Sequence, residues 1–134
     1  MPDPRPAVLV ADDYPENRRL FSLYLRKEYD VVEAGTGEEV VARLAEHSVV
    51  AALLDLNYQG GMSGFDVVRH IRSDARLAGL PTLALTAHAG IEDRRRCLQA
   101  GFDAYLAKPV TRAEMLSALA ALLDRQPAAW RSAA

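Results

Sequence analysis

The strongest constraint on this chain is a rhythm. Five short apolar runs recur along it: AVLVA (7–11), DVVEA (30–34), VVAALLD (49–55), TLALT (82–86) and DAYLA (103–107). Between them lie segments with helical periodicity and helical start signals. Pro15 suits the first turn of a helix, and Leu20, Phe21, Tyr24 and Leu25 fall on one stripe of it. Thr36 and Glu39 spell a capping box ahead of Val40, Val41 and Leu44. Ser63 and Asp66 cap a helix carrying Val67, Val68 and Ile71. Residues 91–100 read as a helix that Gly101 stops. Thr111 and Glu114 form another box, and Leu116, Leu119, Ala120 and Leu123 complete the inward face of the last helix. Five βα units with short loops imply an α/β fold, a parallel sheet with helices on both faces. The run 49–55 is apolar until its last residue, as a strand covered on both sides should be. Right-handed crossovers make the sheet doubly wound. Five strands suit the order 2-1-3-4-5, with the switch point between strands one and three.

Composition bounds the function classes. The chain has 134 residues, 50% hydrophobic and 25% charged, the profile of one globular domain. We expect that domain over residues 7–124, with an N-terminal tail (1–6) and a C-terminal tail (125–134). A net charge of −2 offers no broad basic field, so direct nucleic-acid binding is not expected. Cys97 is the one cysteine, which excludes an internal disulfide. The N-terminus, MPDPRP, is polar and Pro-rich, unlike a signal peptide. No apolar run approaches the roughly 20 residues of a membrane span. A cytoplasmic location is the resulting expectation.

Ligands of doubly wound sheets bind beyond the carboxyl ends of the strands. Strand one ends in Asp12 and Asp13, strand three in Asp55, strand four in Thr86, and strand five in Lys108 followed by Pro109. Two adjacent carboxylates repel each other by about 4 kcal/mol at ~4 Å and an effective dielectric of ~20. A hard divalent cation relieves that repulsion, and Mg²⁺ prefers a few carboxylate oxygens with water and phosphate oxygens. A lysine beside such a site neutralises an incoming anion, and a hydroxyl can donate to one of its oxygens.

These residues resemble those of a known family, the receiver domain of two-component response regulators. The resemblance runs from Ala7 to Leu123. It rests on Asp12-Asp13, on Asp55 closing strand three, on Thr86 in LTAHAG, and on Lys108-Pro109 in AYLAKPV. It implies a flavodoxin-like (βα)5 fold and a phosphorylation switch. Asp55 would accept a phosphoryl group from a sensor histidine kinase or a histidine phosphotransfer protein. Asp13, Asp55 and the backbone carbonyl of Asn57 would hold Mg²⁺, with Asp12 acting through a bound water. Lys108 would offset charge on the phosphoryl oxygens. Thr86 and Tyr105 would move to change a surface built from the fourth helix, fifth strand and fifth helix. The family's lysine–proline bond is cis, which is expected of Lys108–Pro109. Asn57 and His88 occupy positions that modulate the lifetime of the phosphoryl group. A downstream protein partner and a phosphorylation-dependent homodimer are further expectations. The loop LNYQGGMSG (56–64) departs from the family's Met-Pro-x-Met-Asp-Gly pattern: it has no proline and one residue more, and Gly60-Gly61 signals a flexible or tightly turned segment. The segments around Thr86 and Lys108 resemble those of hybrid-kinase receivers. Eleven residues follow Leu123, too few for a DNA-binding module. The expectation is either a stand-alone receiver or one cut from a hybrid kinase.

Other readings compete with these. Alone, Asp12 and Asp13 are turn-and-cap residues, Thr86 a strand residue, and Tyr105 half-buried packing. Their coincidence with Asp55 and Lys108 favours a site. An aspartyl-nucleophile phosphatase or phosphotransferase needs a second acid two residues after the nucleophile, where this chain has Asn57. A flavin-binding module needs a phosphate loop after strand one, where Asp12 and Asp13 would repel a phosphate. Arg94-Arg95-Arg96 reads as a solvated helix face, His47 and His70 as surface helix residues, Cys97 as a packing thiol, and Trp130 as part of an Ala-rich tail.

Overall fold

The structure is a computed structural model that describes residues 5–58, 61–87 and 90–124. Strands and helices alternate along it. They are β1 (Ala7–Ala11), α1 (Pro15–Leu25), β2 (Asp30–Ala34), α2 (Gly37–Glu46), β3 (Ala51–Asp55), α3 (Gly64–Ser73), β4 (Thr82–Thr86), α4 (Ile91–Ala100), β5 (Ala104–Ala107) and α5 (Arg112–Asp124). All five strands are parallel, in the order β2-β1-β3-β4-β5. The doubly wound sheet read from the alternation is therefore present. Val49 and Val50 precede β3, and Asp103 precedes β5, so both strands are shorter than their apolar runs.

The core has two halves, one on each face of the sheet. Leu9, Leu54, Val67, Ile71 and Cys97 pack beneath α2, α3 and α4. Val8, Leu53, Phe21, Leu25, Met115 and Leu119 pack beneath α1 and α5. β3 and β4 are buried at every residue, which explains why they are apolar except at their ends. At about 25 cal/mol per Å² of apolar surface, this two-sided burial is the main stabilising term of the fold.

The helix starts follow their local signals. Pro15 opens α1. Ser63 and Asp66 exchange both hydrogen bonds of a capping box, and so do Thr111 and Glu114. Thr36 caps α2 by accepting from the Glu39 N–H, but the Glu39 carboxylate accepts from Gly35 rather than from Thr36. Gly101 ends α4 with a φ of 121°, a left-handed region that side chains avoid. Two helix faces differ from the expected ones. Leu20 is 42% exposed, because its side of α1 looks into a cleft beside Lys108 rather than onto the sheet. In α5 the buried residues are Met115, Leu119 and Leu122, with Leu116 and Leu123 half-buried and Ala120 exposed. The face is rotated by one residue: Met115, not Leu116, is fully buried in the core half that holds Phe21 and Leu25. Among the described residues, no helix is long and apolar enough to cross a membrane.

Candidate functional site

Four strand ends build the site. β1 delivers Asp12 and Asp13, β3 delivers Asp55, β4 delivers Thr86, and the turn after β5 delivers Lys108. The sheet order makes β1 and β3 neighbours, so their acids meet at the switch point. Carboxylate oxygens of Asp12, Asp13 and Asp55 lie within 4.8 Å of one another. The Lys108 ammonium donates to Asp12 Oδ2 at 2.7 Å and to Asp55 Oδ2 at 3.0 Å. Its backbone N–H donates to the Thr86 carbonyl at 2.7 Å, which ties the lysine to the end of β4. The Lys108–Pro109 peptide bond is cis, as expected.

The three acids are held very differently. Asp12 is fully buried. Its carboxylate also accepts from the Tyr14 N–H at 2.9 Å and from the Asn17 amide at 3.3 Å. Asp55 is 7% exposed and accepts from the Asn57 N–H at 3.2 Å. Asp13 is half-buried, and its carboxylate has no hydrogen bond or ion pair among the described residues. Burial pushes the Asp55 carboxyl above the usual range and the nearby Asp12 charge adds to this, while the hydrogen bonds and charge of Lys108 oppose it. Burial lowers the Lys108 ammonium, but its bonds to Asp12 and Asp55 outweigh that and raise it. The lysine is therefore a charged amine at neutral pH. It is poised between two carboxylates and largely covered, bordering the cleft lined by Asn17, Leu20, Phe21 and Tyr24.

Thr86 is buried at the end of β4. Tyr105 is half-buried in β5, opposite Ala84, and packs on the α4 side of the sheet. Strand alternation puts Thr86 and Tyr105 on the same face. Burial, then the Asp93 charge and Cys97, raise the Tyr105 phenol. Asn57 is exposed beside the acids. His88 and Trp130 lie outside the described residues. So does Gly60, while Gly61 turns the loop with a φ of 62°. The same loop is drawn tightly onto the end of β3. Gly64 donates to the Leu56 carbonyl at 2.9 Å, and a Cβ on Gly64 would meet the Asp55 carbonyl oxygen at 2.2 Å, so only glycine fits.

The residues outside the site sit as solvated or packing groups. Arg94 and Arg95 are exposed, and Arg96 stacks over Phe65 at 4.9 Å. Cys97 is fully buried, and burial raises its thiol. His47 is exposed just after α2, and His70 is half-buried in α3. Three residues near the site were not anticipated. Asn17 bonds Asp12. Arg18 donates to the Asp12 backbone carbonyl at 2.7 Å. The Tyr58 hydroxyl is buried with no geometric hydrogen-bond partner among the described residues, and burial and the charges of Asp55, Asp12 and Asp13 push its phenol far up. Asn17 and Arg18 carry a legible signal, since both lie in the first turn of the helix that follows the acids.

The residues fit a divalent cation. Three carboxylates converge, one of them unengaged, at the end of a sheet where phosphate ligands bind.

Comparison with known proteins agrees with this geometry. The family model described as the response regulator receiver domain matches residues 8–120. The chain is 39% identical over 119 residues to the probable transcriptional regulatory protein TcrX of Mycobacterium tuberculosis, covering 88% of this chain and 50% of that protein. It is 34% identical over 119 residues to the sensor histidine kinase RcsC of Salmonella typhi, covering 88% of this chain and 12% of that one. The chain thus spans half, or much less, of the length of these relatives. Among solved structures, a putative response regulator from Chloroflexus aurantiacus superposes with a TM-score of 0.85 at 28% identity, covering 92% of this chain and all of that one. With strand order, acidic edge and family match in agreement, this chain belongs to the response regulator receiver domains of two-component signalling.

Proposed function

We propose that Asp55 is the phosphoacceptor of this receiver, which extends over residues 7–124, and that a phosphohistidine on a kinase or phosphotransfer protein is the donor. The observation that carries the reading is Lys108 bridging Asp12 and Asp55 inside a cluster of three carboxylates. Asp13, Asp55 and the Asn57 carbonyl would hold Mg²⁺, with Asp12 acting through a water, and the ion would offset charge on the phosphoryl oxygens. The rest falls to the chain. Asp55 Oδ attacks phosphorus, the N–P bond to the donor imidazole breaks, and Lys108 turns from the carboxylate to a phosphoryl oxygen. Thr86, at the neighbouring strand end, donates its hydroxyl to another. Tyr105, on the same face, follows inward, and the surface of α4, β5 and α5 changes. Asn57 and His88 set how long the adduct lasts. The output is a change in affinity for a protein partner or a second copy of the chain, in the cytoplasm.

Intact mass after incubation with acetyl phosphate tests this. Wild type should gain one phosphoryl group in the presence of Mg²⁺ and none with the metal chelated. Asp55→Asn should gain none in either case. An adduct of equal yield on that variant would place the acceptor elsewhere.

A further inference from the structure

Asp13 is the weakly held member of the acidic cluster. Asp12 is fixed by Lys108, Tyr14 and Asn17, and Asp55 by Lys108 and Asn57. The Asp13 carboxylate has no such partner among the described residues. Where its side chain starts is set by the backbone before it, the peptide plane that contains the Asp12 carbonyl oxygen and the Asp13 nitrogen. That oxygen accepts from Arg18 Nη1 at 2.7 Å.

Arg18 is itself well constrained. Its backbone N–H donates to the Tyr14 carbonyl within the first turn of α1. Its Nε faces Glu33 Oε1 of β2 at 3.5 Å, and Glu33 Oε2 accepts from Ser22 at 3.2 Å. The guanidinium lies over Gly35, where a Cβ would come within 2.9 Å of Nη1. A planar fork spanning a carbonyl and a carboxylate is a geometry arginine provides and lysine does not.

We infer that Arg18 is a positioning residue for the metal ligand Asp13: by clamping the Asp12–Asp13 peptide between α1 and β2, it aims the carboxylate at the site. This rests on the divalent-cation reading above. It also sets two effects against each other. Arg18 puts a positive charge near three acids, so by charge alone its loss would tighten cation binding. Its loss as a clamp would weaken binding, because Asp13 would have to be ordered when the cation arrives.

The test is calorimetric titration of Mg²⁺ into wild type, Arg18→Met and Arg18→Lys, with thermal melts of each. Arg18→Met keeps the stem over Gly35 and removes the donors. It should bind Mg²⁺ about fivefold more weakly, the loss of one hydrogen bond's worth of order. Arg18→Lys keeps the charge and one donor, and should fall between the two. Equal or tighter binding by Arg18→Met would overturn the inference. Should that variant fail to melt cooperatively, Arg18→Lys decides: affinity equal to wild type overturns the clamp. Failure of wild type itself to bind Mg²⁺ would remove the cation reading and this inference together. Wild-type binding with unaltered variants removes the inference alone.

Discussion

Lys108 is one of two lysines in a chain with sixteen basic residues, and its surroundings explain the choice. It reaches single oxygens of two carboxylates from within a narrow edge, which suits a compact ammonium rather than a forked guanidinium. The adjacent acids Asp12 and Asp13 coexist because they are not equivalent. One is buried and hydrogen-bonded, and the other is half-buried with no hydrogen bond or ion pair among the described residues. Residue type at a strand end was enough to find these groups. It could not find Tyr58, whose hydroxyl is buried without a hydrogen-bond partner among the described residues. A phenol hydroxyl buried without a partner contributes no favourable bond in the folded state. Tyr58→Phe should therefore leave stability unchanged or raise it by up to about 1 kcal/mol in urea unfolding. A clear loss would show that the hydroxyl has a partner in solution.

Helices and strands were legible where their causes are local. The capping boxes at Ser63 and Thr111, the proline at the start of α1 and the glycine after α4 all act within a few residues, so their signals sit side by side in the chain. The inward face of α5 was not, because it depends on how far that helix is rolled against α1 and β5. Nor was the part played by Arg72. Its guanidinium leaves α3 and donates to the carbonyls of Gly101 at 2.9 Å and Leu80 at 2.7 Å. It also reaches the Thr82 hydroxyl at 2.8 Å and Asp103 at 2.9 Å. Asp103 in turn accepts from the Thr82 N–H at 2.8 Å. This one side chain joins α3 to the start of β4 and the entry of β5. Arg72→Ala should destabilise the domain by about 2 kcal/mol, since it leaves several part-buried acceptors and a carboxylate without their donor. Equilibrium unfolding checks this, and a change within 0.5 kcal/mol, the ordinary range for a surface substitution, would refute it.

Across the whole molecule, the site is a product of topology. Lys108 is 96 residues from Asp12 and 53 from Asp55, yet it touches both. The lysine also bonds the end of β4, whose Thr86 shares a face with Tyr105 beneath α4. On the proposed phosphorylation of Asp55, these contacts would carry the event toward α4 and β5. Lys108→Ala should keep most Mg²⁺ binding, yet lose the amide NMR shifts in α4, β5 and α5 that phosphorylation produces in wild type. Normal shifts in that variant would show that the lysine is not part of the route. The apolar rhythm, the caps and the charged strand ends are short-range features, and short-range forces let them be read one after another. Strand order and family pattern then named the acids, the threonine and the lysine as neighbours. The contacts of Arg18, the burial of the Tyr58 hydroxyl, the roll of α5 and the four-way reach of Arg72 depend on contacts between distant segments. Those contacts are settled by close packing, in which each side chain's place depends on all its neighbours at once.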